Sequence, residues 1–207
     1  MKTRIGVLAS GGGSNMQAIM RSIDAGEING EIVVVISDVP GAGALAKAEN
    51  AGIPTRVMRP REYSGRDAYS AALAAELKSH NVGLVVMAGF MRIVTTPLIN
   101  AFPNRIMNIH PALIPAFCGA GFYGHYVHEA VLDYGARVSG CTVHFVEEAV
   151  DAGPIIIQRA VPVLDDDTPE ALAARILKEE HIAYPEAVRL YCAGMLGIEG
   201  RRVVVKG

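Results

Sequence analysis

Four short apolar runs, Ile5–Ala9, Ile32–Ile36, Leu84–Ala88 and Arg105–Ile109, punctuate the first half of the chain, and helix-like stretches, Met16–Ile23, Ala42–Ala51 and Tyr69–Leu77, lie between them. A strand that is apolar almost throughout, and not only at alternate positions, must be buried on both faces. The sheet that allows this is a parallel one covered by helices. The second half reads differently. Cys141–Val146 alternates in polarity, Pro154–Val163 is another extended apolar run, and the link Glu147–Gly153 is too short for a crossover helix. These two strands are expected to be antiparallel. The fold class predicted is therefore α/β, with a mixed, mostly parallel open sheet and helices on both faces, Rossmann-like. A last long helix starts at Thr168-Pro169-Glu170, where Thr suits the N-cap and Pro the first helical position. Pro185 is expected to kink or end it, Gly194 is a later stop, and Arg201–Val205 suits an edge strand or hairpin.

With 207 residues, 51% of them hydrophobic, the chain is sized for one domain. A net charge of −2 gives no reason to expect nucleic acid or an anionic membrane as partner. No apolar run approaches a membrane span, and the N-terminus enters a strand pattern without the long apolar core of a signal peptide. Cys118, Cys141 and Cys192 are scattered without CxxC spacing, as suits reduced thiols of a cytoplasmic protein.

Three local patterns carry chemistry. The first is "ASGGGSNMQAI", a glycine-rich turn between the first strand and the first helix. Such a turn points backbone N–H groups and the positive end of the helix dipole at an anion. Met16 stands where a dinucleotide fingerprint would need its third glycine, although Asp38 at the end of the second strand mimics the acid that such folds place on a ribose. A Walker loop's Gly-Lys-Ser/Thr is absent. Gly13, Ser14 and Asn15 thus suit a terminal phosphate, with a plain strand–helix turn as the alternative. Ser14–Gln17 fits a capping box.

The second pattern is Asn108-Ile109-His110-Pro111. Residues i and i+2 of a strand share a face, so Asn108 and His110 are neighbours at the C-terminal end of the fourth run, the end that faces the ligand crevice in open α/β sheets. An amide and an imidazole together can stabilise an oxyanion forming on a carbonyl. A hydrogen-bonded turn pair is the alternative. The third is Asp151, before Gly153-Pro154, either a turn former or the residue that orients His110 and favours its charged form. His144 could support that cluster or be a satisfied core histidine. No Gly-x-Ser-x-Gly elbow is present. His125 and His128 lack a matching third metal ligand and read as solvated helix residues.

Together, "SGGGSN", "AGFMRI", "NIHPALIP", "TVHFV", "VDAGPII" and "EEHIAYP" resemble the phosphoribosylglycinamide formyltransferase family, in the family's order and over nearly the whole chain. The resemblance implies one formyltransferase domain over 1–207, with a phosphate-binding half of about 1–100 and a folate-binding and catalytic half of about 101–207. It implies formyl transfer from 10-formyltetrahydrofolate to glycinamide ribonucleotide in purine biosynthesis. The site residues it implies are Asn108, His110 and Asp151 for catalysis, and Gly13, Ser14 and Asn15 for the substrate phosphate. Leu177, Lys178, Glu179 and Glu180 would meet the ribose. Arg66, Met91, Arg92, Ile93, Val94, Asn108, Glu147, Glu148, Ala149, Val150 and Asp151 would line the folate site. Thr142 and His144 would support the catalytic residues. The expected partners are these small molecules, with no metal, nucleic acid or membrane, in a monomer or homodimer. A cis peptide before Pro115 is expected. One stretch departs from the family's commoner pattern: after Phe117 the chain reads "CGAGFYGHYVHEAV", and the Cys118–Gly124 loop has no assigned role. The rival activities are formyl-tetrahydrofolate hydrolysis, formyl transfer to another amine, and nucleotide binding without chemistry.

Overall fold

Where the sequence predicts buried parallel strands, the computed structural model, which describes residues 1–206, has them. β1 (Thr3–Leu8), β2 (Gly30–Ser37), β3 (Thr55–Val57), β4 (Leu84–Met87) and β5 (Ile106–His110) run parallel in the order β3-β2-β1-β4-β5. β4 is buried at every position. The helices between them are α1 (Ser14–Asp24), α2 (Gly43–Asn50), α3 (Arg66–Ser79) and α4 (Thr96–Ala101). Right-handed crossovers place α1 and α2 on one face and α3 and α4 on the other, and α1 touches α2 while α3 touches α4. The strand order reverses between β1 and β4. This is the switch point beside which a doubly wound sheet opens a crevice at its C-terminal ends.

The chain divides into two compact units, Met1–Asn108 and Ile109–Gly207. The second holds α5 (His125–Tyr134), β6 (Val138–Phe145), β7 (Ile155–Pro162), α6 (Pro169–Cys192), β8 (Leu196–Glu199) and β9 (Arg202–Val205). β6 and β7 are antiparallel, as their short link requires. The tail forms the hairpin β8–β9, and β9 also pairs parallel with β7 through Ile155 and Arg202. Within the two units parallel ladders outnumber antiparallel ones.

One local expectation needs correction and another is narrowed. α1 is capped by Gly13 in the left-handed region (φ 73°), with no side-chain cap, so Ser14 is the first helical residue and not the N-cap. A side chain at Gly13 would collide with the Ala44 backbone at 2.8 Å, so the loop's glycine is needed for the approach to α2 as well. Pro185 does not end α6, which continues to Cys192. Tyr184, Pro185, Ala187 and Val188 are all buried there, and that packing outweighs the hydrogen bond a proline removes. The Ile114–Pro115 peptide is cis, as expected.

Candidate active site

His110 ends β5 and is 4% exposed. Its Nε2 lies 2.8 Å from the Phe117 carbonyl, which can only accept, so that nitrogen carries a proton. Its Nδ1 lies 3.6 Å from Asp151 Oδ2. Asp151 also accepts a hydrogen bond from the Gly119 N–H at 3.0 Å. Its other oxygen is 3.7 Å from Nε2 of His144, whose Nδ1 donates to the Phe145 carbonyl at 2.8 Å. Burial lowers the pKa of His144 and outweighs the Phe145 carbonyl and Asp151, which act the other way. Burial thus favours the uncharged form of His144 beside Asp151. His110, Asp151 and His144, separate in sequence, form one cluster.

The unusual loop after β5 supplies two of these contacts. Phe117 takes a positive φ of 49°, rare outside glycine, and this turns its carbonyl onto His110. Gly119, at φ 90°, presents its N–H to Asp151. The loop thus grips the His–Asp pair from the main chain. Burial and the Asp151 charge raise the pKa of Cys118 between them, which disfavours its thiolate, and its thiol donates to the Pro115 carbonyl. Thr142 pins the turn before this loop. Its hydroxyl donates to Ala112 O at 2.7 Å and accepts from the Ile114 N–H at 3.1 Å and from Gln158 Nε2 at 3.0 Å. Gln158, which also donates to Ile114 O, escaped the sequence reading because nothing in an apolar strand marks which polar residue faces a turn.

The histidines of α5 part company. His125 is half exposed and pairs with Glu129 at 2.9 Å. His128, expected to be solvated, is buried instead. Burial, then the charges of His125 and His110, lowers its pKa. Among the described residues no group of three His, Cys, Asp or Glu side chains could hold a metal ion.

In the first unit the loops after β1 and β4 meet: Ser10 N–H donates to Gly89 O at 3.0 Å. Gly13, Ser14 and Asn15 form the start of α1, whose first turn no side chain caps. Beside the β4 loop, Arg66, Tyr69, Met91, Arg92 and Ile93 line a cleft of about 430 Å³ together with Pro60, Arg61 and Gly65. Met91 and Ile93 are exposed apolar side chains, while Val94 is buried. Arginines beside bare apolar surface suit a ligand that is part flat and apolar, part anionic. Asp38 does not offer its carboxylate to a ribose. Both its oxygens are taken, by Ser10 Oγ and by Arg92 Nε, each at 2.6 Å.

Leu177–Glu180 is a full turn of α6, so its members point in different directions. Glu180 is buried and Leu177, three residues back, shares its side of the helix. Glu179 is engaged by Arg159 Nε at 2.6 Å. In the β6–β7 link, Glu147, Glu148, Ala149 and Val150 are exposed, and Asp151, at φ 54°, turns inward.

A profile of the family described as "Formyl transferase" matches residues 3–188. The trifunctional purine biosynthetic protein adenosine-3 of Gallus gallus is 44% identical over 197 residues, 95% of this chain and 19% of that protein. The chloroplastic phosphoribosylglycinamide formyltransferase of Arabidopsis thaliana is 43% identical over 192 residues, 92% of this chain and 66% of that protein. The chain thus spans only part of the length of these curated relatives. The crystal structure of glycinamide ribonucleotide transformylase 1 from Symbiobacterium toebii superposes with a TM-score of 0.95 at 51% identity, covering 100% of this chain and 95% of that one. The mixed, mostly parallel fold is shared with it in full.

Proposed function

Because the chain belongs to the formyl transferase family, and within it to the phosphoribosylglycinamide formyltransferases, we propose that it transfers a formyl group from 10-formyltetrahydrofolate to the glycinamide amine of 5-phosphoribosylglycinamide in de novo purine biosynthesis. The observation that carries this reading is the His110–Asp151 pair held by main-chain groups of Phe117 and Gly119 at the end of β5. The attacking amine belongs to the substrate, so the protein needs no nucleophile of its own. Its work is to hold amine and formyl carbon together and to manage charge and protons.

In this proposal Asn108 and His110 donate to the formyl oxygen as it becomes negative. In the resting arrangement His110 Nε2–H is held by a neutral carbonyl. Exchanging that acceptor for a developing oxyanion strengthens the bond only as the reaction proceeds, which is the difference that accelerates it. Asp151 orients the ring and helps move a proton from the incoming amine toward the departing folate nitrogen. Gly13, Ser14 and Asn15 bind the substrate phosphate, and Leu177, Lys178, Glu179 and Glu180 meet its ribose. Arg66 and Arg92, with Met91, Ile93, Val94 and the Glu147–Val150 link, receive the folate. We take 1–207 as one formyltransferase domain acting in the cytoplasm as a monomer or homodimer. The free thiols Cys118, Cys141 and Cys192 suit that reducing compartment.

Steady-state assays of formylated ribonucleotide and of free formate test the reading. Wild type is expected to yield the ribonucleotide, and His110→Ala and Asp151→Asn to lose about 10²- to 10⁴-fold in kcat. Near-wild-type kcat in either variant would refute the mechanism, and formate as the main product would make the protein a hydrolase.

A further inference from the structure

Asp38 is the first residue past β2, and its side chain is wholly buried. A buried carboxylate is costly without partners, and this one has two. Oδ1 accepts from Ser10 Oγ at 2.6 Å and Oδ2 from Arg92 Nε at 2.6 Å. Ser10 Oγ in turn accepts from the Met91 N–H at 2.8 Å. One carboxylate therefore ties together the segments that follow β1, β2 and β4, the three around the switch point of the parallel sheet.

The bond to Arg92 is selective about which nitrogen it uses. Only Nε is spent on Asp38, and the two terminal nitrogens of the guanidinium make no hydrogen bond or ion pair with protein among the described residues. The Arg92 side chain is half exposed, and it borders both the 430 Å³ cleft with Arg66 and a second of about 450 Å³ with Arg59, Pro60 and Arg61. A free arginine samples many rotamers. One gripped at Nε from a rigid, buried anchor keeps the plane of its fork and leaves two parallel N–H groups for a carboxylate.

We propose that Asp38, bridged by Ser10, is a positioning residue that holds Arg92 ready for a carboxylate on the glutamate end of the folate cosubstrate. This rests on the functional reading above. Asp38 touches neither the reacting atoms nor the ligand, and acts through Arg92 alone. Its effect belongs on cosubstrate binding and not on the chemical step.

The test compares steady-state kinetics with two cosubstrates, formyl-tetrahydrofolate and a formyl-tetrahydropteroate that lacks the glutamate. Asp38→Asn is expected to raise KM about tenfold for the glutamate-bearing cosubstrate, with kcat within about twofold of wild type, and to leave KM for the truncated one unchanged. In an Arg92→Ala background the same substitution should add nothing. Ser10→Ala, which removes the bridging hydroxyl and keeps the carboxylate, should move KM in the same direction by about threefold, and it carries the comparison where Asp38→Asn does not fold. The proposal is overturned by an equal KM rise with both cosubstrates, by a fall in kcat at unchanged KM, or by a full effect in the Arg92→Ala background. Wild-type protein that forms no formylated ribonucleotide overturns the functional reading first, and this proposal with it, before any variant is compared.

Discussion

Gly153 shows how tightly the Asp151 segment is set. A Cβ at this residue would collide with the Phe145 carbonyl oxygen, at the base of the β6–β7 link, and meet the Phe145 carbonyl carbon at 2.8 Å. Both neighbours are backbone and cannot rotate away. Phe145 N–H is also bonded to the Pro154 carbonyl at 2.9 Å, so the two strand ends cannot part without losing that bond. Gly153→Ala is expected to cost about 1–3 kcal/mol of stability, and to lower kcat by pulling Asp151 away from His110 and Gly119. Urea denaturation and steady-state kinetics check this, and wild-type values in both would show that the link yields more easily than its geometry implies. At this scale the cluster of His110, Asp151 and His144 was legible beforehand, because each stood out as a polar residue at a strand end, in a strand or before a turn. The Phe117 carbonyl and Gly119 N–H were not. Every residue carries such groups, and only a φ of 49° at Phe117 and 90° at Gly119 aims them. Asp38 was visible, but as a ribose acid. That its two oxygens are spent inside the protein follows from three loops meeting, which no single segment encodes.

Helix starts separate what local chemistry decides from what packing decides. α6 begins as its sequence predicts: Thr168 Oγ1 accepts from the Ala171 N–H at 3.2 Å, and Pro169 follows. Thr168→Ala is expected to cost about 1 kcal/mol, and so to lower Tm by about 2–4 °C in a chain of this size. Ser14→Ala is the control, since no side chain caps α1. It should leave Tm unchanged while weakening binding of the substrate phosphate, and a Tm loss equal to that of Thr168→Ala would restore Ser14 as a cap. Periodicity identified the longer elements, β1, β2, β4 and β5 among them. It passed over β3, three residues long, and α4, six residues long, because neither completes two periods of its own pattern. Of the two outcomes its local signal allows at Pro185, an end to the helix is overridden by tertiary burial, and α6 continues to Cys192.

For the molecule as a whole, buried histidines set a dependence on pH. His128 and His144 both have pKa values lowered by burial, with His110 acting in the same direction on each, and His125 adding to it at His128. In the unfolded chain each takes up its proton near pH 6.5. In the folded protein each resists until lower pH. Between those values the unfolded state binds more protons, so stability is full above about pH 6.5 and falls as pH drops through the window below it. Asp167 works in a separate range. Its bond to Arg175, with help from the Leu164 N–H, holds its carboxyl below the usual value of 3.8, so its contribution persists until more acid conditions. The urea midpoint is therefore expected to fall between pH 7.5 and pH 5 through the histidines alone. His128→Gln, which removes one titrating ring from α5, should make that slope shallower. A midpoint that stays flat over this range, or a slope that His128→Gln leaves untouched, would contradict the assignment.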